Sequence, residues 1–185
     1  MSHVPEEFDE CRLLEAATNG CVESFGALFD RYYPMIHAFA YRLTFSPHDA
    51  EDIAQETFIN AARSLGTFRR DASFKNWLYK IATNRHCDFV RRQRRSERIH
   101  TPLTDDVAAD TAIPETADFT TLHQALDALP DDWRRTVTLV YYEERSHAET
   151  AKILGCAETT VSWRIFRAKR QLKKHLQNPP RSHRL

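Results

Sequence analysis

The stretch SHAETAKILGCAETTVSWRIFRAKRQLKK, residues 146–174, holds two helix signals separated by a turn. Ser146 with Glu149 three residues later has the form of a capping box, in which each side chain satisfies the other's backbone N–H. Ala151, Ile153 and Leu154 supply the apolar side of a short helix, and Gly155-Cys156 predicts a sharp turn. A longer helix is expected from about Glu158 to Leu176. At the helical repeat, Val161, Ile165, Ala168 and Leu172 fall within about 60° of one another and face inward. Thr159, Trp163, Phe166, Arg167, Arg170 and Lys174 project from the other side. Short helix, tight turn and longer basic helix make a helix-turn-helix. Lys and Arg are ordinary surface residues, so a solvated basic helix is the bland alternative. The exposed aromatics beside the cations favour a DNA groove, where Arg bonds guanine edges and Lys neutralises phosphate.

Working outward, Leu122, Ala125, Leu126 and Leu129 share one helix face, which Pro130 stops. Asp131 is expected to cap a helix containing Val137, Val140 and Tyr141. Further upstream, between residues 99 and 118, periodicity dissolves into Pro, Thr, Ala and five acidic residues, which marks a linker between two domains. Before it, Phe25, Leu28, Phe29, Tyr32, Ile36, Phe39, Ala40 and Leu43 recur at steps of three and four, a helix that Pro34 is expected to bend or split. Ser46-Pro47-His48-Asp49 is a helix start, Ile53, Ala54, Phe58, Ala61, Ala62 and Leu65 its apolar side, and Gly66 its expected end. After a polar loop, Phe68–Ala72, Ser73 can cap a helix whose stripe is Phe74, Trp77, Leu78, Ile81, Ala82 and Phe89. No segment has the alternation of a strand, and four glycines are too few for a many-turned barrel or sandwich. The expected fold is all-α: two small helical domains joined by an acidic flexible linker. The expected boundaries are an N-terminal extension 1–21, a first domain 22–98, a linker 99–118, a second domain 119–177 and a tail 178–185.

The formal net charge is zero, but it is unevenly laid out. Residues 68–98 carry ten basic and three acidic side chains, and residues 151–185 nine and one. Residues 1–30 carry seven acidic and one basic. Two separated basic blocks predict two polyanion contacts on one chain. No run of about 18 apolar residues predicts a membrane span, and the acidic residues 1–10 lack the apolar segment of a secretory signal. A cytoplasmic protein without direct membrane insertion is expected. Cys11, Cys21, Cys87 and Cys156 lie far apart and predict buried or neutral thiols, neither a disulfide framework nor a metal site. Nine His residues form no H-E-x-x-H or His–Cys ligand set, and no glycine loop could cradle a phosphate, so neither a metal, a cofactor nor an enzyme is expected.

The helix from Ser73 to Arg95 interleaves Lys75, Lys80, Arg85, Arg91, Arg92, Arg94 and Arg95 with Phe74, Trp77, Tyr79 and Phe89. Cations beside aromatics suit single-stranded DNA, whose bases stack while its phosphates pair, although Trp77 and Phe89 are as readily core residues. Asp49, Glu51, Asp52, Gln55 and Glu56 line the first turns of the preceding helix. They suit the positive end of a helix dipole and also a docking face for a basic partner.

Four segments together resemble the extracytoplasmic-function (ECF) RNA polymerase sigma factors, over roughly residues 22–96 and 119–176. They are FGALFDRYYPMIHAFAYRLT (25–44), DAEDIAQETFINAARSL (49–65), TFRRDASFKNWLYKIATNRHCDFVRRQRR (67–95) and ALDALPDDWRRTVTLVYYEERSHAETAKILGCAETTVSWRIFRAKRQL (125–172). The resemblance implies a specificity subunit that binds core RNA polymerase and directs promoter-specific initiation, the bond-making chemistry belonging to the core. It implies that Asp49, Glu51, Asp52, Gln55, Glu56 and Phe58 meet the clamp helices of the polymerase β′ subunit. It implies that Phe68, Arg69, Ser73, Lys75, Asn76, Lys80, Asn84, Arg85, Asp88, Arg91, Arg92 and Arg95 open the minus-ten element of promoter DNA and hold a flipped base. It assigns Thr159, Thr160, Ser162, Trp163, Arg164, Phe166, Arg167, Arg170 and Lys174 to the minus-thirty-five element, in a domain that also contacts the β flap. A membrane-bound anti-sigma factor is the expected regulator. Ser162-Trp163 departs from the pattern, standing where relatives carry Arg or Lys followed by Ser, so the promoter sequence cannot be borrowed. A conventional repressor would account for residues 119–176 but not for the first domain, and a sigma mimic would not need both basic blocks.

Overall fold

The computed structural model describes residues 6–99 and 117–177. Its elements are α1 (Glu6–Thr18), α2 (Val22–Thr44), α3 (Pro47–Ser64), α4 (Phe74–Ile99), α5 (Ala117–Asp127), α6 (Asp131–Val137), α7 (His147–Leu154) and α8 (Glu158–Gln177). A 3₁₀ turn occupies Leu65–Thr67 and a π turn Thr138–Tyr142, and no strand occurs among the described residues. The all-α fold is the expected one. The predicted linker, except at its ends, and the predicted tail lie outside the described residues.

Local chemistry explains most helix ends. Ser46 Oγ accepts from the Asp49 N–H at 3.3 Å, with Pro47 in the first turn of α3. Ser73 Oγ accepts from the Asn76 N–H at 3.2 Å and starts α4. The Ser146–Glu149 capping box forms in full, and Gly155, at φ 64°, closes α7 in the left-handed conformation that glycine tolerates. Three expectations are corrected. α2 is one helix through Pro34, because Leu28 before it and Ile36, Phe39 and Leu43 after it are all buried on one core. α3 does not end at Gly66, which lies inside a 3₁₀ turn anchored by buried Leu65. Asp131 does not cap α6; Pro130 holds that position, and the Asp131 carboxylate takes Arg134 at 2.7 Å and Arg94 at 2.5 Å.

The residues read as an N-terminal extension contain α1, which docks on the bundle through buried Leu14 with Leu13 and Ala17 beside it. Ion pairs Arg31–Asp9 (2.8 Å) and Arg70–Glu15 (3.3 Å) flank it. Its apolar residues are too few to give a clear period, so the sequence pattern passes over it.

α1–α4 enclose a core of Leu28, Ile36, Phe39, Phe58, Phe74, Leu78 and Tyr79, with Phe29 edge-on to Phe58 and Phe39 edge-on to Tyr79. A second cluster joins Leu126, Leu129, Val137, Val161, Ile165 and Ala168 from α5–α8. The two are not separate. Leu139 and Ile153 belong to the first core, and Phe45 packs against the second. Phe45 takes a left-handed backbone (φ 53°) at the end of α2, a conformation costing about 1–2 kcal/mol for a non-glycine residue. Its ring is held 4.6 Å from His123, with the Arg134 guanidinium 5.8 Å from its centre.

Polar contacts close the same seam. Glu143, nearly fully buried, accepts from the Tyr79 hydroxyl and from Arg42 at 3.0 Å. Burial, and then the bond to Glu143, pushes the Tyr79 hydroxyl well above its ordinary range, so it stays a neutral donor. Asn76 donates to Glu149 at 2.9 Å, and Arg135 approaches His86 Nδ1 at 3.3 Å. The Asn76 bond, followed by bonds from the Ser146 backbone and hydroxyl, holds the Glu149 carboxyl down at about 2.

Glu143→Ala would strand the buried Tyr79 hydroxyl and one side of Arg42. We expect it to destabilise the protein by about 2–4 kcal/mol and to increase the radius of gyration seen by solution scattering. An unchanged melting temperature and an unchanged radius would show that the carboxylate does not hold the seam. His86 gives a pH dependence. Burial, with Arg135 and Arg134 next, lowers its pKa to about 4, so the folded protein binds no proton there while the unfolded chain does from about 6.5 downward. Stability should fall between pH 6.5 and 4 by up to about 1.4 kcal/mol per pH unit, and His86→Gln should flatten that slope. Parallel melting-temperature profiles for the two proteins would contradict the assignment.

Candidate nucleic-acid interface

Three charged faces stand on this frame. The first is the N-terminal half of α3, where Glu51, Asp52 and Gln55 are exposed and Asp49 and Glu56 half-buried. Gln55 donates to Glu51 at 3.0 Å, and Glu56 reaches Arg92 of α4 at 3.3 Å. The acidic face therefore borders the basic helix and is not insulated from it. Phe58 does not share the face. It is 4% exposed, edge-on to Phe29 beneath α3, and offers no surface to a partner in this packing.

The second face is α4. At the helical repeat Asn76, Lys80, Asn84, Arg91 and Arg95 form one stripe about 100° wide. Lys80, Asn84, Arg91 and Arg95 are exposed, as is Arg69 of the preceding loop. Arg85 and Arg91 both pair with Asp88, at 2.8 and 3.5 Å, so Asp88 orders cations and does not itself present a donor. The N-terminal end of the stripe meets α7: Asn76 bonds Glu149 and, at 3.4 Å, Arg145. A cleft of about 470 Å³ there is lined by Asp71, Asn76, Trp77 and Lys80 on one side and Glu149, Lys152 and Ile153 on the other.

The aromatics expected beside these cations divide. Phe74 and Tyr79 are fully buried and cannot stack on a base; Lys75 instead lies 5.9 Å from the Tyr79 ring. Trp77 and Phe68 are half-buried, 5.1 Å apart, and both lean on Phe74. Ser73 serves the helix cap.

The third face is α8. Val161, Ile165 and Ala168 are buried, and Thr159, Trp163, Phe166, Arg167, Arg170 and Lys174 are exposed, as the period required. Trp163 is 52% and Phe166 59% exposed, large areas for a free apolar ring. Arg170 lies over the Phe166 ring at 5.8 Å. Other expected contact residues are engaged. Arg164 pairs with Asp132 at 3.2 Å, Ser162 Oγ lies 3.0 Å from His147 Nδ1, and Thr160 is half-buried in the first turn. Sequence reasoning passed over Trp133, His147 and Lys169. Lys169 sits over exposed Tyr141 at 5.2 Å. A cation off the main stripe beside an aromatic on a different element leaves no sequence signal.

Among the described residues no group of His, Cys, Asp and Glu could hold a metal, and no helix is long and apolar enough to cross a membrane. The four cysteines are free thiols, Cys11 exposed and the others half-buried.

Two family models match: Sigma-70 region 2 over residues 28–96 and Sigma-70, region 4 over residues 119–172. The chain is 31% identical to the ECF RNA polymerase sigma factor SigW of Bacillus subtilis, covering 89% of this chain and 95% of that one. It is 35% identical to the RNA polymerase sigma-H factor of Pseudomonas aeruginosa, with 90% and 93% covered. Among solved structures it resembles the sigma factor RpoE of Bartonella quintana, crystallised with the anti-sigma factor NepR (TM-score 0.72, 27% identity, 86% and 100% covered). It also resembles CnrH in complex with the cytosolic domain of CnrY (TM-score 0.70, 25% identity, 93% and 99% covered). The helix-turn-helix and the acidic and basic helices before it thus fall inside the matched regions, and the chain belongs to the ECF RNA polymerase sigma factors.

Proposed function

We propose that this sigma factor assembles in three contacts, each on one of the faces above, inside the cytoplasm. The acidic turns of α3, through Asp49, Glu51, Asp52, Gln55 and Glu56, dock on the β′ clamp helices of core polymerase. The α4 stripe with Phe68, Arg69 and Trp77 takes the non-template strand of the minus-ten element, and an unstacked base is trapped there, which biases duplex DNA toward the open state. α8 enters the major groove at the minus-thirty-five element, and the domain around it meets the β flap. Phosphodiester synthesis stays with the core.

The observation that carries this proposal is the placement of acidic α3 turns beside the cationic α4 stripe on one helical unit, with a separate basic recognition helix. A repressor needs only the last. Domain limits of 22–98 and 119–177 are kept for the two functional halves, with α1 packed on the first as part of its bundle. Strand capture at Asn76 exchanges its bonds to Glu149 and Arg145 for DNA, so the seam near α7 opens on promoter binding. Control by an anti-sigma factor is supported by the likeness to RpoE solved with NepR. A membrane-bound regulator is supported by the likeness to CnrH, whose partner in that structure is described by a cytosolic domain.

Reversing charge on α3 tests the docking face. The Asp52 side chain is 59% exposed, with His48 Nε2 at 3.9 Å. Asp52→Arg with Glu51→Arg should change stability by under about 0.5 kcal/mol per site. Core affinity, measured by competition against another sigma factor, should drop about tenfold or more. Unchanged affinity would show that polymerase binds elsewhere.

A further inference from the structure

Trp133 stands in the first turn of α6, outside every face described above, yet its ring meets the recognition helix. It is half-buried against the second core cluster. Its indole lies edge-to-face with Trp163, centres 5.7 Å apart at 89°. The Arg167 guanidinium carbon is 5.9 Å from the Trp133 ring centre and 5.6 Å from that of Trp163. One cation thus spans two indoles. The corner is braced on both sides, by Arg164–Asp132 at 3.2 Å and by Gln171 Nε2 donating to the Ala128 carbonyl at 2.7 Å. Beside the stack a cleft of about 600 Å³ opens, with Arg170, Lys174 and His175 on its α8 side.

A guanidinium this close to an aromatic ring is attracted to it, and its fork of N–H donors can still serve a second partner. Those donors are the ones a bidentate bond to a guanine edge requires. An arginine on a bare helix surface samples many rotamers; here two indoles restrict them before DNA arrives.

We propose that Trp133 is a positioning residue for promoter recognition. It holds Trp163 and Arg167 in one cluster, so a residue that does not itself reach DNA sets the base preference of α8. The proposal rests on α8 being the helix that meets the minus-thirty-five element.

The test uses the full chain with core polymerase and a promoter pool randomised across the minus-thirty-five element. Wild type, Trp133→Leu, Trp133→Phe, Arg167→Ala and the Trp133→Leu/Arg167→Ala double variant are compared, with thermal melting in parallel. Trp133→Leu keeps apolar bulk without a π face and should reduce preference about three- to tenfold at the base position that Arg167→Ala also flattens. Trp133→Phe should restore most of it, and the double variant should fall no lower than Arg167→Ala. Wild-type selection by Trp133→Leu, or losses that simply add in the double variant, would overturn the proposal. Should Trp133→Leu fail to fold, Trp163→Leu removes the other, exposed ring of the stack and must flatten the same position; unchanged selection there overturns it too. A wild-type pool that emerges with no minus-thirty-five motif would instead refute α8 as the reader, and the role of Trp133 with it.

Discussion

Glu143 is a carboxylate with almost no water around it, and that constraint organises both halves of the molecule. A buried charge costs several kcal/mol unless donors replace its hydration. The donors come from elsewhere in the chain: Arg42 on α2 and the Tyr79 hydroxyl on α4. The π turn that ends just before Glu143 also sends Leu139 into the core of α1–α4. One short segment therefore supplies apolar and ionic attachment at once. Asn76–Glu149, His86–Arg135 and Arg94–Asp131 cross the same seam.

The consequence for the DNA-facing surfaces is uneven. α8 keeps its outward face open, with two large rings and three cations exposed. The α4 stripe is open along its C-terminal part but meets α7 at Asn76. If the α4 stripe binds the strand as proposed, that surface and the seam compete for the same side chain. Promoter engagement would then be coupled to the relation between the two halves through a handful of hydrogen bonds, each worth about 0.5–3 kcal/mol.

Much of this was legible in the sequence because helices repeat. The inward set Val161, Ile165 and Ala168, the capping box at Ser146, the turn at Gly155 and the caps at Ser46 and Ser73 are all local, and all lie where the residues put them. What was not legible depends on residues distant in the chain. Tyr79 sits among cations in sequence but is buried, its hydroxyl held by Glu143 from a distant part of the chain. Phe58 is buried on the apolar side of α3, where its period puts it, and not on the docking face the family resemblance implied. Phe45 adopts a left-handed backbone with no glycine to announce it, held by contacts from α5 and α6. Trp133 is four residues beyond the apolar face that ends at Leu129 and thirty before Trp163, and only the fold sets the two indoles edge to face.

The central claim is that these faces act as a specificity subunit and not as an independent repressor. Run-off transcription, with start-site mapping, reads this directly when the purified chain is added to core polymerase on a library of promoter fragments. Defined start sites that depend on the chain, together with weak duplex binding by the chain alone, are the predicted result. Tight, sequence-specific binding without core polymerase, and no initiation with it, would contradict the account.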